Sequence, residues 1–398
     1  MVDRKYRVAY LVTHPIQYQA PMLRLIAAQP DIDLTVFFQS DFSLREYADA
    51  GFGQTVKWDV PLIDGFRHEF LPGFWRHGQI TAHKPFSWGF ARRLGRARFD
   101  VLWVHGYARS ANWAAMLCAK ARGLKIFVRD EATLFSAERS SARRAAKLVF
   151  FSALQVFADA FLAIGTANRE YYLANGVRAD RIFSMPYCVD NDFFAGRAAE
   201  AASGRERLRR EMGLDPGRPV ILYASKFEPR KRPQDLLLAY RRVISCSGLG
   251  QAYLLLAGDG ELRASLEALA AEKGLEGVKF LGFRNQTELP PLYDLCDVFV
   301  LPSSQEPWGL VVNEVMAAGR AVIVSDQVGC ARDLVKHGVN GMIFRVGDVD
   351  ALADALGAVI GDPDRCARMG LESKKIMAGW SFGEDVAGLR QALHAVLP

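Results

Sequence analysis

The chain lacks paired cysteines. Six cysteines, at 118, 188, 246, 296, 330 and 366, are scattered over 398 residues with no CxxC pair. That excludes a disulfide scaffold and predicts reduced thiols, several of them in apolar surroundings. Clusters of His and Cys at metal-ligand spacing are missing as well, so no metal and no resident cofactor is expected. Long hydrophobic runs are also absent. The most apolar stretch, LVFFSALQVFA at 148–158, has 11 residues and stops at Asp159, whereas a membrane-spanning helix needs about 20. The mean hydropathy of +0.02 is too low for a polytopic membrane protein. The N-terminus, MVDRKYRVAYLVTHP, is charged and then only briefly apolar. It reads as a first strand rather than a secretory leader, which predicts a cytoplasmic protein.

What is present is ordinary globular composition: half the residues are hydrophobic and 24% are charged. This argues against disorder and low-complexity scaffolds. The length suggests two or three domains, at roughly 150 residues each. The net charge of +6 is unevenly spread. Residues 1–197 hold 26 Lys and Arg against 18 Asp and Glu, a surplus of eight, and the rest hold 24 against 26. A basic half suits nucleic acid, an anionic membrane surface or an acidic substrate, and charge alone does not choose among them.

Short apolar strands alternate with helical patterns, which implies an α/β chain with parallel sheets covered on both faces. In the second half, strands are expected at Val220–Ala224, 252–257, 278–281, Val298–Leu301, Ala321–Ser325 and 342–344. Helices are expected near 233–245, 261–273, 287–295, 310–318, 330–337 and 348–361. Six βα units suffice for one doubly wound, Rossmann-like domain. The first half reads similarly, with strands at 7–13, 33–38, Val101–His105, Lys125–Arg129, 160–164 and 182–185. The stretch 39–98, rich in Gly, Phe and Trp, reads as long loops and short helices. The expected division is 1–197, 198–375 and a tail at 376–398. The tail's helix, about 382–396, can pack on either domain, including back on the first.

Ligands of open α/β sheets bind beyond the C-terminal strand ends, and three segments there carry chemistry. The first is SQEPWGLVVNE, 304–314, which follows the strand VFVLP and opens a helix. Gly309 leaves bare backbone N–H groups at 309–311, a setting that suits phosphate. Glu306 can accept hydrogen bonds from sugar hydroxyls, and Glu314 from a ribose. The second is SKFEPRKRP, 225–233, in which Lys226 and Lys231 can neutralise a diphosphate as point charges. The third is Gly258-Asp259-Gly260-Glu261, a tight strand-to-helix turn. The plainer alternatives are a solvated loop glutamate, a basic surface turn and a generic βα turn.

These three segments, in this order, resemble the retaining GT-B glycosyltransferases of family 4. VILYASKFEPRKRPQDLLLAY, YLLLAGDGEL, VKFLGFRNQTELPPLYDLCDVFVLPSSQEPWGLVVNEVMAAGRAVIVSD and VGCARDLVKHGVNGMIF carry the resemblance over about 218–362. The first half is similar more loosely, at DVLWVH ending in His105 and at Tyr187-Cys188-Val189-Asp190. Two departures stand out. The loop after strand one is THPIQY, not the family's Gly-rich loop, and Lys226 stands where the family often has Arg. Lys keeps the charge but loses the bidentate fork.

The resemblance implies a GT-B fold, two Rossmann-like domains facing across a cleft, and a nucleotide-diphospho-sugar donor, UDP- or GDP-linked. It implies that Lys226 and Lys231 contact the diphosphate with the backbone of Gly309 and Leu310, at a turn shaped by Gly258. Glu306 would orient the sugar, Glu314 the ribose, and Phe283 and Arg284 would lie by the base. Catalytic roles fall to His105, Glu306 and Lys231. Anomeric configuration would be retained, with the leaving phosphate deprotonating the acceptor and no metal required. His14, Arg129 and Asp130 are candidates for the acceptor side, with a salt-bridged loop as the plainer reading of the latter two. The acceptor is expected to be a glycan, a lipid-linked glycan or a small aglycone of bacterial envelope polysaccharide synthesis.

Arg139, Arg143 and Lys147 recur every four residues before the apolar run at 148–158. They mark either a solvated helix face or a surface touching anionic lipid at the inner face of the plasma membrane. His68, His77, His83, His337 and His394 have no supporting context, and Trp75 is one of several aromatics divided between core and loop. The rival within the fold is a nucleotide-sugar epimerase or a phosphorylase. A non-catalytic binder of lipid or nucleic acid, driven by the basic half, leaves the three segments unexplained, so no nucleic-acid partner is expected.

Overall fold

The computed structural model describes residues 5–74, 80–81, 84–136, 140–245 and 252–397. Trp75, His77, His83, Arg139 and Cys246 lie outside the described residues. The chain forms two compact units: Met1–Tyr47 with Val60–Tyr187 and Phe382–Pro398, and Ala48–Asp59 with Cys188–Ser381.

The first unit is built on a seven-stranded parallel sheet. Its order is Ile182–Ser184, Ala160–Ala163, Lys125–Arg129, Val101–His105, Tyr6–Val12, Ile32–Phe38 and Arg67–Phe70. The inner strands are apolar without alternation because helices cover both faces. The seventh strand lies in the stretch read as loops and short helices. It is a short, half-exposed edge paired with Ile32–Phe38, and its sequence, RHEF, carries charges that protect such an edge. The strand order reverses between Val101–His105 and Tyr6–Val12, so the switch point where such folds bind ligands lies beside His105 and His14.

The helix Phe382–Val396 belongs to this unit. Val386, Leu389, Ala392 and Leu393 are buried in one cluster with Tyr10, Trp103, Phe127 and Met185. Each large aliphatic side chain buried here contributes about 1.5–3 kcal/mol. Gly388 permits the close approach, since a Cβ there would lie 1.7 Å from the Ser184 carbonyl oxygen.

The second unit has a six-stranded parallel sheet in the order Val278–Gly282, Tyr253–Ala257, Val220–Ala224, Val298–Leu301, Ala321–Ser325 and Gly341–Phe344. The reversal falls between Val220–Ala224 and Val298–Leu301. The loops leaving those two strands are the basic segment and the paired-glutamate segment. The helix Asn191–Ala201 sits in this unit, capped by the Asp190 carboxylate, which accepts the Phe193 N–H at 2.9 Å. The division expected after 197 therefore falls inside a helix of the second unit, where Phe194 is buried.

The apolar run at 148–158 covers the whole second half of the helix Ser141–Phe157, which is capped by Ser140. Among the described residues no helix is long and apolar enough to cross a membrane. Among them, too, no group of three or more His, Cys, Asp and Glu is placed to hold a metal ion.

Candidate active site

In the second unit, the loop after Val298–Leu301 is strapped to residues 327–330. Glu306 N–H donates to Gln327 O at 3.3 Å, while the N–H groups of Gly329 and Cys330 donate to Glu306 O and Trp308 O, both at 2.9 Å. The Trp308 indole donates to Asn313 Oδ1 at 2.9 Å, and its ring stacks on Trp380 at 5.7 Å. Gly309, at φ +98°, turns the chain into the helix Leu310–Ala317. A side chain there would be strained and would also press on Val328 and Leu301. The first N–H groups of that helix have no partner within the helix and lie beside Glu306 in sequence.

The basic loop meets this segment directly. The Ser304 N–H donates to Arg230 O at 2.8 Å. The short helical turn Pro229–Lys231 buries Lys231, and its Nζ donates to Glu306 Oε2. Lys226 Nζ instead pairs with Asp49 Oδ1 at 2.7 Å. Gly258 keeps this turn compact: at φ +146°, a Cβ would lie 2.0 Å from Ser225 O. Arg284 pairs with Glu288 at 3.2 Å, and the Phe283 ring meets Phe52 edge-on at 4.7 Å.

Glu314 lies one turn into the helix and accepts a hydrogen bond from the Tyr293 hydroxyl. Burial pushes its carboxyl up to about 7, against the opposing pull of that hydrogen bond. The second unit thus brings Lys231, Glu306, Gly309, Leu310 and Glu314 onto two adjoining loops and one helix.

In the first unit, His105 ends its strand with Nδ1 3.1 Å from the Tyr10 hydroxyl and Nε2 3.7 Å from Glu131 Oε1. The same Glu131 oxygen accepts hydrogen bonds from Tyr18, at 3.1 Å, and from Tyr187. Burial acts to raise the Glu131 pKa, but hydrogen bonds from His105, Tyr187 and Tyr18 and the His105 charge outweigh it and hold it at about 2. His14 bonds Thr13 Oγ1 at 2.8 Å. Burial, with the charges of His105 and Arg109, pushes it down to about 4, so it is neutral at pH 7.

Arg129 corrects an expectation. It is 1% exposed, with its guanidinium donating to Asp385 at 3.0 Å and to the carbonyls of Met185 and Pro186 at 2.8 and 3.2 Å. Its side chain is committed to the interior and has no surface left for an acceptor. Asp130 accepts the Ala132 N–H at 2.8 Å, and burial raises its carboxyl. Of the run Arg129-Asp130-Glu131 at this strand end, Arg129 and Asp130 are the acceptor-side candidates read from the sequence, while the structure gathers the polar contacts on Glu131. Sequence reasoning missed Tyr10, Tyr18 and Tyr187, whose convergence on His105 and Glu131 depends on three separate segments.

Residues 204–376 match the model of glycosyl transferases group 1, and residues 45–188 match that of the glycosyl transferase 4-like domain. The chain belongs to the GT-B glycosyltransferases of family 4 type. The chain is 34% identical over 200 residues to the D-inositol 3-phosphate glycosyltransferase of Nocardia farcinica, covering 48% of this chain and 44% of that one. The chain spans about half the length of the curated relatives it matches. Its fold is that of sucrose-phosphate synthase from Thermosynechococcus elongatus, with a TM-score of 0.73 at 19% identity over 98% of both chains. It is also that of Anabaena HepE in complex with UDP and glucose, with a TM-score of 0.71 at 19% identity over 98% of this chain and all of that one.

Proposed function

We propose that this glycosyltransferase is a retaining, metal-independent enzyme that moves a hexosyl group from a UDP- or GDP-sugar to an acceptor hydroxyl. The observation that carries the reading is the meeting of Lys231, Glu306 and the glycine-led helix N-terminus at one sheet's switch point. When the bond from the anomeric carbon to the diphosphate breaks, negative charge grows on the leaving oxygen. Lys226, Lys231 and the N–H groups at Gly309 and Leu310 stabilise that charge. Two ammonium groups supply the positive charge that a divalent metal brings elsewhere. The leaving phosphate oxygen takes the proton of the acceptor hydroxyl, which bonds to the anomeric carbon from the same face, so configuration is retained. Glu306 orients the sugar, Glu314 accepts from the ribose, and Phe283 and Arg284 flank the base. The UDP and glucose bound to HepE, which shares the fold, favour a uridine donor.

Incubation with the donor sugar alone separates this reading from its rival. Transfer predicts at most slow hydrolysis. Conversion of the donor to its epimer without acceptor identifies an epimerase instead.

Glu314 gives the reading a pH signature. Ribose hydroxyls donate to the ionised carboxylate, so protonation opposes binding. With the carboxyl near 7, the donor is expected to bind about tenfold more weakly at pH 6 than at pH 8. Glu314→Gln should flatten this difference in calorimetric titrations with UDP. An unchanged pH dependence in the variant removes Glu314 from the ribose site.

His105 keeps its catalytic assignment beside the transferred sugar, and the acceptor side is assigned to His14 with Asp130 and the neighbouring Glu131, the basic first half favouring an anionic acceptor or a membrane that carries it. The curated relative's name includes an anion of this kind, an inositol phosphate. Envelope polysaccharide synthesis at the cytoplasmic face of the plasma membrane fits both. The helix Ser141–Phe157 supports the membrane contact, since Val149 and Val156 are 71% and 69% exposed on the same helix as exposed Arg143 and Arg144. Sedimentation with vesicles rich in acidic lipid is expected to carry the protein down, and neutral vesicles are not. Equal sedimentation with both contradicts the electrostatic part of this reading.

A further inference from the structure

The segment Ala48–Asp59 clusters with the second unit, although the chain on both sides of it belongs to the first. It contains most of a two-stranded ribbon, Tyr47–Asp49 with Gln54–Val56. Its side-chain contacts fall on residues 225–232 and 282–288, to which the donor's diphosphate and base were assigned, and the Gly51 carbonyl lies close against Gly260. Asp49 Oδ1 accepts the N–H groups of Gly51 and Phe52, at 2.9 and 3.1 Å, and the Lys226 ammonium at 2.7 Å. The Lys226 ammonium also lies 4.7 Å from the Phe52 ring centre. That ring packs edge-on against Phe283, with Trp58 on the same ring at 6.4 Å. Further along, Asn285 Nδ2 donates to Lys57 O at 2.6 Å, and the Thr287 N–H donates to Asp59 at 3.1 Å. A side chain at Gly51 would meet Lys226 and Glu228 at 2.6 Å, so the ribbon lies directly on the basic loop.

We propose that Asp49 is an internal anion that holds Lys226 until the donor's diphosphate replaces it, making Ala48–Asp59 a strap over the donor site. The inference rests on the reading of Lys226 as a diphosphate ligand. A lysine is a compact point charge on a flexible stem. Its ammonium is 2.7 Å from the carboxylate, and the two side chains are only 29% and 14% exposed. A diphosphate can take this ammonium fully only by displacing Asp49. The neighbouring Glu228 does not compete in the same way, because it is paired with Arg230 at 2.8 Å. Asp49 thus sets a threshold for the diphosphate alone, since the Phe52 ring on Phe283 and the bonds from Asn285 and Thr287 hold the rest of the ribbon without that charge.

The experiment is a calorimetric titration of the full chain with UDP, GDP and uridine. The variants are Asp49→Asn, Lys226→Ala and the two combined. Asparagine keeps the oxygen that accepts the two ribbon N–H groups and loses only the charge. Asp49→Ser, which also keeps an acceptor, guards against a folding defect. Asp49→Asn is expected to bind a nucleoside diphosphate about fivefold more tightly, the scale of one partly shielded ion pair. Uridine binding should not change, and the gain should vanish when Lys226 is alanine. If Lys226→Ala weakens diphosphate binding while Asp49→Asn leaves it unchanged or weaker, the strap is overturned and the donor site stands. If Lys226→Ala has no effect, the assignment of Lys226 fails and the strap fails with it.

Discussion

Lys231→Ala is expected to lower kcat by about 10²–10³-fold, the scale for removing one preorganised group that meets developing charge. Lys231 is buried, and its ammonium lies on Glu306 in the loop that leads into the helix Leu310–Ala317. Its charge is therefore held in place before the donor arrives and needs little rearrangement as the diphosphate leaves. The variant also strips Glu306 of its counter-charge, so Glu306→Gln with Lys231→Ala should cost less than the two losses multiplied. Steady-state kinetics with a nucleotide-sugar donor provide the measurement. A kcat within threefold of wild type removes Lys231 from the chemistry.

Arg129→Met is expected to cost about 3–5 kcal/mol in the first unit, because it leaves the buried Asp385 carboxylate without its partner. For a unit of this size each kcal/mol moves the unfolding temperature by about 2–4 °C, so a drop of roughly 6–20 °C is expected. Arg129 and Asp385 are each 1% exposed in the side chain, 3.0 Å apart and 256 residues apart in sequence. The pair fastens the helix Phe382–Val396 to the sheet, helped on the surface by Arg390 against Asp31 at 2.7 Å. The Arg129 guanidinium also lies 4.8 Å from the Tyr187 ring, whose hydroxyl bonds Glu131. Replacing Arg129 and Asp385 together by apolar residues should recover much of the loss. Differential scanning calorimetry reads both effects, and an unshifted first transition in Arg129→Met contradicts them.

The sequence made the second unit nearly transparent. Its strands are short apolar runs, each followed by a periodic helix, and local pattern is what such units display. The segments around Lys231 and Glu306 lie at adjoining strand ends because the strand order reverses there, and each is contiguous in sequence. The first unit was less legible for a physical reason. Arg67–Phe70 is a short polar edge strand that lacks the apolar signature of an inner strand. The His105 and Glu131 group draws its tyrosines from residues 10, 18 and 187, and the Arg129 pair reaches to 385. Neither long-range partnership leaves a spacing to read. The same holds for Asp49, whose partner Lys226 lies 177 residues away. The charge asymmetry is sharper than its total of +6 suggested. The second unit uses a few placed lysines, and the excess remains a property of the first half.

The central claim is that the second unit holds a nucleoside diphosphate through Lys231 and its neighbouring loops. Calorimetric titration of the full chain and of Lys231→Ala with UDP, GDP and ADP at pH 8 tests it most directly. The account predicts one saturable site for at least one of the three, weakened about tenfold or more in the variant. Absence of binding by all three, or equal affinity in the variant, would contradict it.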